Sequence, residues 1–154
     1  MAITKSMFAM LDNVANIKGI KERREALREL CAKNRPLAII IQYTYHPDVK
    51  FDLPPGELPS SIWKPATHDD FAATHRIVKT LPNYSVGSNV PRNRKEINFA
   101  NLCETVVAED VPLLIGMKDK KLPWRKLGET FCKKSLPELF PPQTEELKDE
   151  EDEE

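Results

Sequence analysis

Apolar residues recur at helical spacing along this chain, in short stretches that a glycine or proline soon interrupts. That rhythm sets what it can fold into. Phe8, Leu11, Val14 and Ala15 lie at i, i+3, i+6 and i+7, so residues 7–17 read as a helix, closed by Gly19 as a C-terminal glycine. A second helix is expected over about 20–34. Its outer face is charged ("KERREALREL"), and Ile20, Leu27, Leu30 and Cys31 fall near one side. Glu25 and Glu29 stand at i±4 from basic neighbours. "NRP" ends this helix, because the residue before a proline leaves the α region. Pro36 then opens a third segment to about His46. "LAIIIQYTY" is β-branched enough to be a strand. Helix is preferred, since two helices precede it and no partner strand is evident.

Residues 47–66 hold five prolines and one glycine, so an irregular loop is expected, with Ile62 and Trp63 pinning it to the core. Residues 67–81 read as a helix capped by Thr67, with Asp69 and Asp70 in its first turn and Phe71, Thr74, Ile77, Val78 and Leu81 buried. Residues 82–96 form a loop, basic at its end. A helix over 97–110 turns Phe99, Leu102, Cys103, Val106 and Val107 inward, and "VPLLIGM" is a short helical turn closed by Gly116. A last helix over 123–134 opens with Pro123 and buries Trp124, Leu127 and Phe131. Gly128 inside it costs about 1 kcal/mol relative to Ala. The expectation is an all-α single domain over 1–144 with five to seven short helices, and a disordered acidic tail over 145–154.

Charge divides the chain. Residues 145–154 carry eight acids and one lysine, so the net charge of -1 conceals a body, residues 1–144, with 22 basic and 16 acidic side chains. An acidic tail of this kind either solubilises the protein or competes with a polyanion for a basic face. No run of about 18 apolar residues occurs, so no membrane span or membrane partner is expected. Lys5 and Asp12 interrupt any signal-peptide core. Cys31, Cys103 and Cys132 are widely spaced and form no C-x-x-C pair. They read as buried thiols in a reducing cytoplasm.

Candidate chemistry is sparse. His68 and His75 are two helical turns apart, too far for an i, i+4 metal pair, and His46 is remote in sequence. A nuclease built on these histidines with Asp69 and Asp70 is the weakest reading; helix-dipole service explains the two aspartates more simply. No phosphate-cradling glycine motif and no nucleophile–base set is present, so no enzyme activity, cofactor or metal is expected. What remains is basic. "RNRK" supplies Arg92, Arg94 and Lys95, and residues 118–134 supply Lys118, Lys120, Lys121, Arg125, Lys126, Lys133 and Lys134 against only Asp119 and Glu129. If 97–108 and 123–132 pair as a hairpin, both clusters can reach related surfaces and contact phosphates. The competing reading is the solvated face of ordinary charged helices.

Two stretches resemble the N-terminal helical DNA-binding domain of phage-type ATP-dependent DNA ligases. "MLDNVANIKGIKERREALRELCAKNRPLAIIIQYTYHPDVKF" is similar to that domain's opening: a short helix, a glycine break, a charged helix, and a third helix ending in a Tyr-Thr-Tyr step. "LCETVVAEDVPLLIG" and "LGETFCKKSLPELFPPQ" resemble its last hairpin, with Asp110, Gly116, Lys134, Pro137, Leu139 and Pro141 in matching roles. The resemblance spans about two-thirds of the chain in outline, and residues 47–96 depart from it. "MKDKK" lacks the glycine of the ligase Lys-x-Asp-Gly nucleophile motif. The resemblance therefore implies a free-standing, non-catalytic module that binds duplex DNA without sequence preference. Lys118, Lys120, Lys121, Arg125, Lys126, Arg92, Arg94 and Lys95 would be its phosphate contacts. "FDLPPGELP" and "LLIGMKDKKLPWRKLG" also look like strings in uncharacterised conserved proteins of large tailed phages, which implies an accessory role in replication, recombination or repair in the host cytoplasm. The alternative is an adaptor for replisome or transcription proteins, whose contacts would be the 47–66 loop and the acidic tail.

Overall fold

A computed structural model describes residues 5–54, 56, 58, 61, 63–68 and 70–140. Among these, the fold is all-α, with seven α-helices: α1 Met7–Ala15, α2 Ile20–Lys33, α3 Arg35–Tyr45, α4 Ala73–Ile77, α5 Arg92–Thr105, α6 Val111–Lys118 and α7 Glu129–Ser135. Short 3₁₀ turns join several of them. Between α3 and α4 the described residues before Ala73 belong to no helix. The only strand-like feature among the described residues is an antiparallel bridge between Phe51 and Ser85. No helix of the described residues is long and apolar enough to cross a membrane. The tail 145–154, Ile62, Asp69 and Pro141 lie outside the described residues.

The core follows the apolar stripes. α3 is its hub: Leu37, Ile40 and Ile41 are fully buried, and α2, α6 and α7 pack against it. The strand alternative for "LAIIIQYTY" therefore fails in favour of helix. Met7 and Leu11 of α1, Leu27 of α2, Leu113 and Leu114 of α6 and Leu127 join this core. Burying each such side chain contributes about 1.5–3 kcal/mol. Phe99, Leu102, Cys103, Val106 and Val107 all face inward as the spacing predicts. The three thiols are buried and unpaired, and burial raises Cys31 and Cys103 to about 12, so they are inert.

Five expectations need correction. Gly19 does not close α1 in a left-handed turn: its φ is -76°, and it is the N-cap of α2. α1 instead starts under a double cap. Ser6 Oγ accepts from the Ala9 amide at 3.0 Å, and Asp110 Oδ1 accepts from the Phe8 amide at 2.9 Å. The helix expected over 67–81 begins only at Ala73, because Asp70 closes a turn ahead of it. The Asp70 amide donates to His68 Nδ1 and its carboxylate accepts from the Ala72 amide, each at 3.1 Å. Residues 78–84 then tighten into 3₁₀ geometry through Pro82. The "loop" over 82–96 ends early, since α5 already begins at Arg92. Gly128 sits at the N-cap of α7, between a 3₁₀ turn and that helix, so it carries no mid-helix penalty. Finally, α5 and α7 do not pair as a hairpin: α5 packs on the 78–84 turn, whereas α7 packs on α2 and α3.

Candidate nucleic-acid interface

The two basic clusters share a neighbour, the loop that follows α3, but they meet it with two buried lysines and one half-buried one. Lys95, in α5, is 2% exposed; its ammonium donates to Asp52 Oδ2 at 3.0 Å and to the Ser85 carbonyl at 2.8 Å. Lys118, at the end of α6, is 5% exposed and donates to the Pro54 carbonyl (2.7 Å), the Gly56 carbonyl (2.9 Å) and Asp119 Oδ1 (2.7 Å). Asp119 accepts in turn from the Gly56 amide. Lys120 donates to the carbonyls of Tyr43 (2.8 Å), His46 (2.9 Å) and Val49 (2.5 Å). Most of these acceptors are backbone carbonyls, at the end of α3, in the segment after it and at Ser85, and each ammonium supplies them with donors. These three lysines hold the fold and present no free charge to a phosphate.

The backbone at Lys120 explains how they are aimed. Asp119 caps α6, and Lys120 follows with φ 65°. The Lys120 amide donates to the Met117 carbonyl and the Lys121 amide to the Gly116 carbonyl, which is a Schellman closure. Glycine usually takes the left-handed position; here a lysine does, and its three carbonyl bonds offset the strain. Gly116 is needed one turn back, since a Cβ there would stand 2.8 Å from the Lys121 carbonyl oxygen. Contrary to the sequence reading, Gly116 does not end the helix; it lets residues 121–123 fold back across it. Burial lowers the Lys120 ammonium to about 8, with Lys133 and Lys50 adding to the effect and Glu129 opposing it.

The fold-back delivers a second set of cations to the surface. Lys121, Arg125 and Lys126 are exposed, and none has an ion pair or side-chain hydrogen bond among the described residues. Trp124 between them is anchored: its indole N–H donates to Asp12 Oδ1 at 2.9 Å and its ring lies 4.7 Å from Phe8. On α5, Arg94 is exposed and likewise unpaired, while Arg92 is shared between Asp52 (3.7 Å) and Glu96 (3.5 Å). Lys133 is engaged by Glu129 at 2.6 Å.

Beside Lys121 an open groove of about 420 Å³ is lined by Trp63, Pro65, Pro112, Ile115 and Pro123. Trp63, expected to pin the loop to the core, is half-buried against it and also forms a wall of the groove. Nothing in the sequence flagged the groove, because its apolar residues come from three separate segments with no shared periodicity.

The histidines do not assemble. Among the described residues no group of three His, Cys, Asp or Glu could hold a metal ion. Asp70 is engaged by Arg76 at 2.5 Å, which with the Ala72 amide holds its carboxyl below the usual range. His75 is half-buried, and burial lowers its pKa. Asp110, fully buried, accepts from the Thr74 hydroxyl and the Phe8 amide; burial still raises its pKa. Residues 135–139 are tied to the core: Gln42 donates to the Leu139 carbonyl at 2.9 Å and Arg28 to the Ser135 carbonyl at 2.5 Å. Compared with protein-family models, curated proteins and solved structures, the chain finds no match.

Proposed function

We propose that this protein is a non-catalytic binding module that takes the sugar-phosphate backbone of duplex DNA on its 121–126 face. The observation that supports this reading is the exposed set Lys121, Arg125 and Lys126, unpaired among the described residues, with Lys121 at the end of the Schellman closure and the other two in the 3₁₀ turn that follows. Arg94 is exposed on α5, and Arg92 beside it is shared between Asp52 and Glu96, so these two are secondary candidates. Lys95, Lys118 and Lys120 drop out as contacts in this reading, since their ammonium groups are engaged within the fold, Lys95 by two acceptors and the others by three each. Such contacts position a duplex without reading its sequence.

Salt-titrated binding of the full chain to intact and nicked duplex is the test. Log K should fall with log salt by about 0.9 per phosphate neutralised, and reversing Lys121, Arg125 and Lys126 to glutamate should flatten that slope. Absence of binding at low salt, even after the eight acids of residues 145–154 are changed to amides, would sink the DNA reading. The apolar groove beside Lys121 favours a second reading, an adaptor that docks another protein.

A further inference from the structure

The groove is built to receive side chains. Three of its walls are prolines with fixed backbone, Pro65, Pro112 and Pro123. The Trp63 indole is tethered through its N–H to the Leu58 carbonyl at 3.3 Å. The floor includes Gly116, which adds no side chain. A preformed apolar recess of this kind binds without first having to order its own walls.

Its rim is cationic. Lys121 stands in the wall, and Lys64 is exposed between the two lining residues Trp63 and Pro65. Neither ammonium has a partner among the described residues. Arg125 and Lys126 follow directly from Pro123 and Trp124. Among the described residues, the nearby carboxylates are fewer and partly occupied. Glu104 accepts from the Lys64 amide at 2.9 Å, Asp119 is held by Lys118, and Glu109 adjoins the lining residue Ala108.

The geometry points to a docking site for a partner segment that inserts one or two large apolar side chains into this groove and sets carboxylates against Lys64 and Lys121. This deepens the adaptor reading and is independent of the DNA reading. A duplex backbone offers phosphates to the rim but no apolar group to fill the recess, whereas a Phe or Leu side chain gains from leaving water there. Aromatic and aliphatic anchors in a pocket, ringed by charge pairs, are how small protein interfaces concentrate their affinity.

The test uses the full chain and a fluorescein-labelled peptide, Glu-Glu-Phe-Leu-Glu-Glu, read by anisotropy and by tryptophan emission. Saturable binding is expected. A Lys-Lys-Phe-Leu-Lys-Lys peptide and a Glu-Glu-Ser-Ser-Glu-Glu peptide should each bind about tenfold more weakly or less. Lys121→Glu and Ile115→Asp should each weaken the first peptide by about tenfold. Ile115→Ala, the milder change, should weaken it while leaving the thermal transition in place. Equal binding of the Ser-Ser peptide overturns the groove's role, and no binding up to millimolar peptide overturns the site. Changing the eight acids of 145–154 to amides separates the chain's own tail from a partner. An affinity gain of about tenfold or more would make the tail the occupant and overturn the assignment to a partner, and an unchanged affinity supports it. If the peptide binds and duplex DNA does not, the docking site stands and the DNA reading falls.

Discussion

Lys118 and Lys120 differ from Lys121, Arg125 and Lys126 in almost nothing a sequence records, yet the two sets serve opposite ends. The first two point their ammonium groups into a cage of carbonyls from Tyr43, His46, Val49, Pro54 and Gly56. The other three stand in solvent without partners among the described residues. The boundary between them is the left-handed residue Lys120, where the chain reverses over Gly116. Residues before that reversal still follow the α6 register and face the proline-rich segment. Residues after it run back over the helix end. The comparison teaches that a run of lysines is not one electrostatic object: a single backbone reversal divides it into staples and free charge.

Breaking the staple should show first. Lys118→Met keeps the volume but leaves two carbonyls and the Asp119 carboxylate without their cation. The two carbonyls left without a donor should together cost about 3 kcal/mol in urea unfolding, with little added by Asp119, whose carboxylate is partly exposed. DNA affinity of the folded protein should not change. A loss of affinity without loss of stability would return Lys118 to the interface. Gly116→Ala should come next, at about 2 kcal/mol, because its Cβ meets the Lys121 carbonyl 2.8 Å away and backbone must shift. Helix propensity alone gives the opposite sign, a gain of about 1 kcal/mol. A stabilised variant would therefore show that the fold-back is not tight.

This division also marks what the sequence makes legible. Helix faces are readable because apolar periodicity reports them directly, as Phe99, Leu102, Cys103 and Val106 show. The all-α class follows from the same rhythm. The fate of Lys95, Lys118 and Lys120 is not readable, because their acceptors are mostly backbone carbonyls. A carbonyl is present at every residue and has no letter of its own. Lys118 finds its carbonyls 64 and 62 positions away, and Lys120 reaches back 77, 74 and 71. Gly19 and Lys120 mislead for a related reason: glycine is common at left-handed helix ends, but here Gly19 is extended and a lysine takes the left-handed turn. The groove was hidden because Trp63, Ile115 and Pro123 meet only after the chain has folded.

The smaller tests probe the boundary residue and the free set. The Lys120 ammonium titrates near 8 when folded, below its ordinary 10.5, so between these values the unfolded chain binds more protons than the native one. Native stability should then rise with pH across that window relative to Lys120→Met, in which nothing titrates at this position. A flat difference would mean that the three carbonyls restore the ordinary value. The least effect on stability belongs to the free set. Lys121→Glu, Arg125→Glu and Lys126→Glu combined should move the unfolding midpoint by an amount worth no more than about 0.5 kcal/mol, since exposed unpaired charges contribute little to folding. The same triple reversal should abolish the salt-dependent binding of duplex. If stability falls instead and binding survives, the free set and the staples have exchanged roles, and the division at Lys120 is drawn in the wrong place.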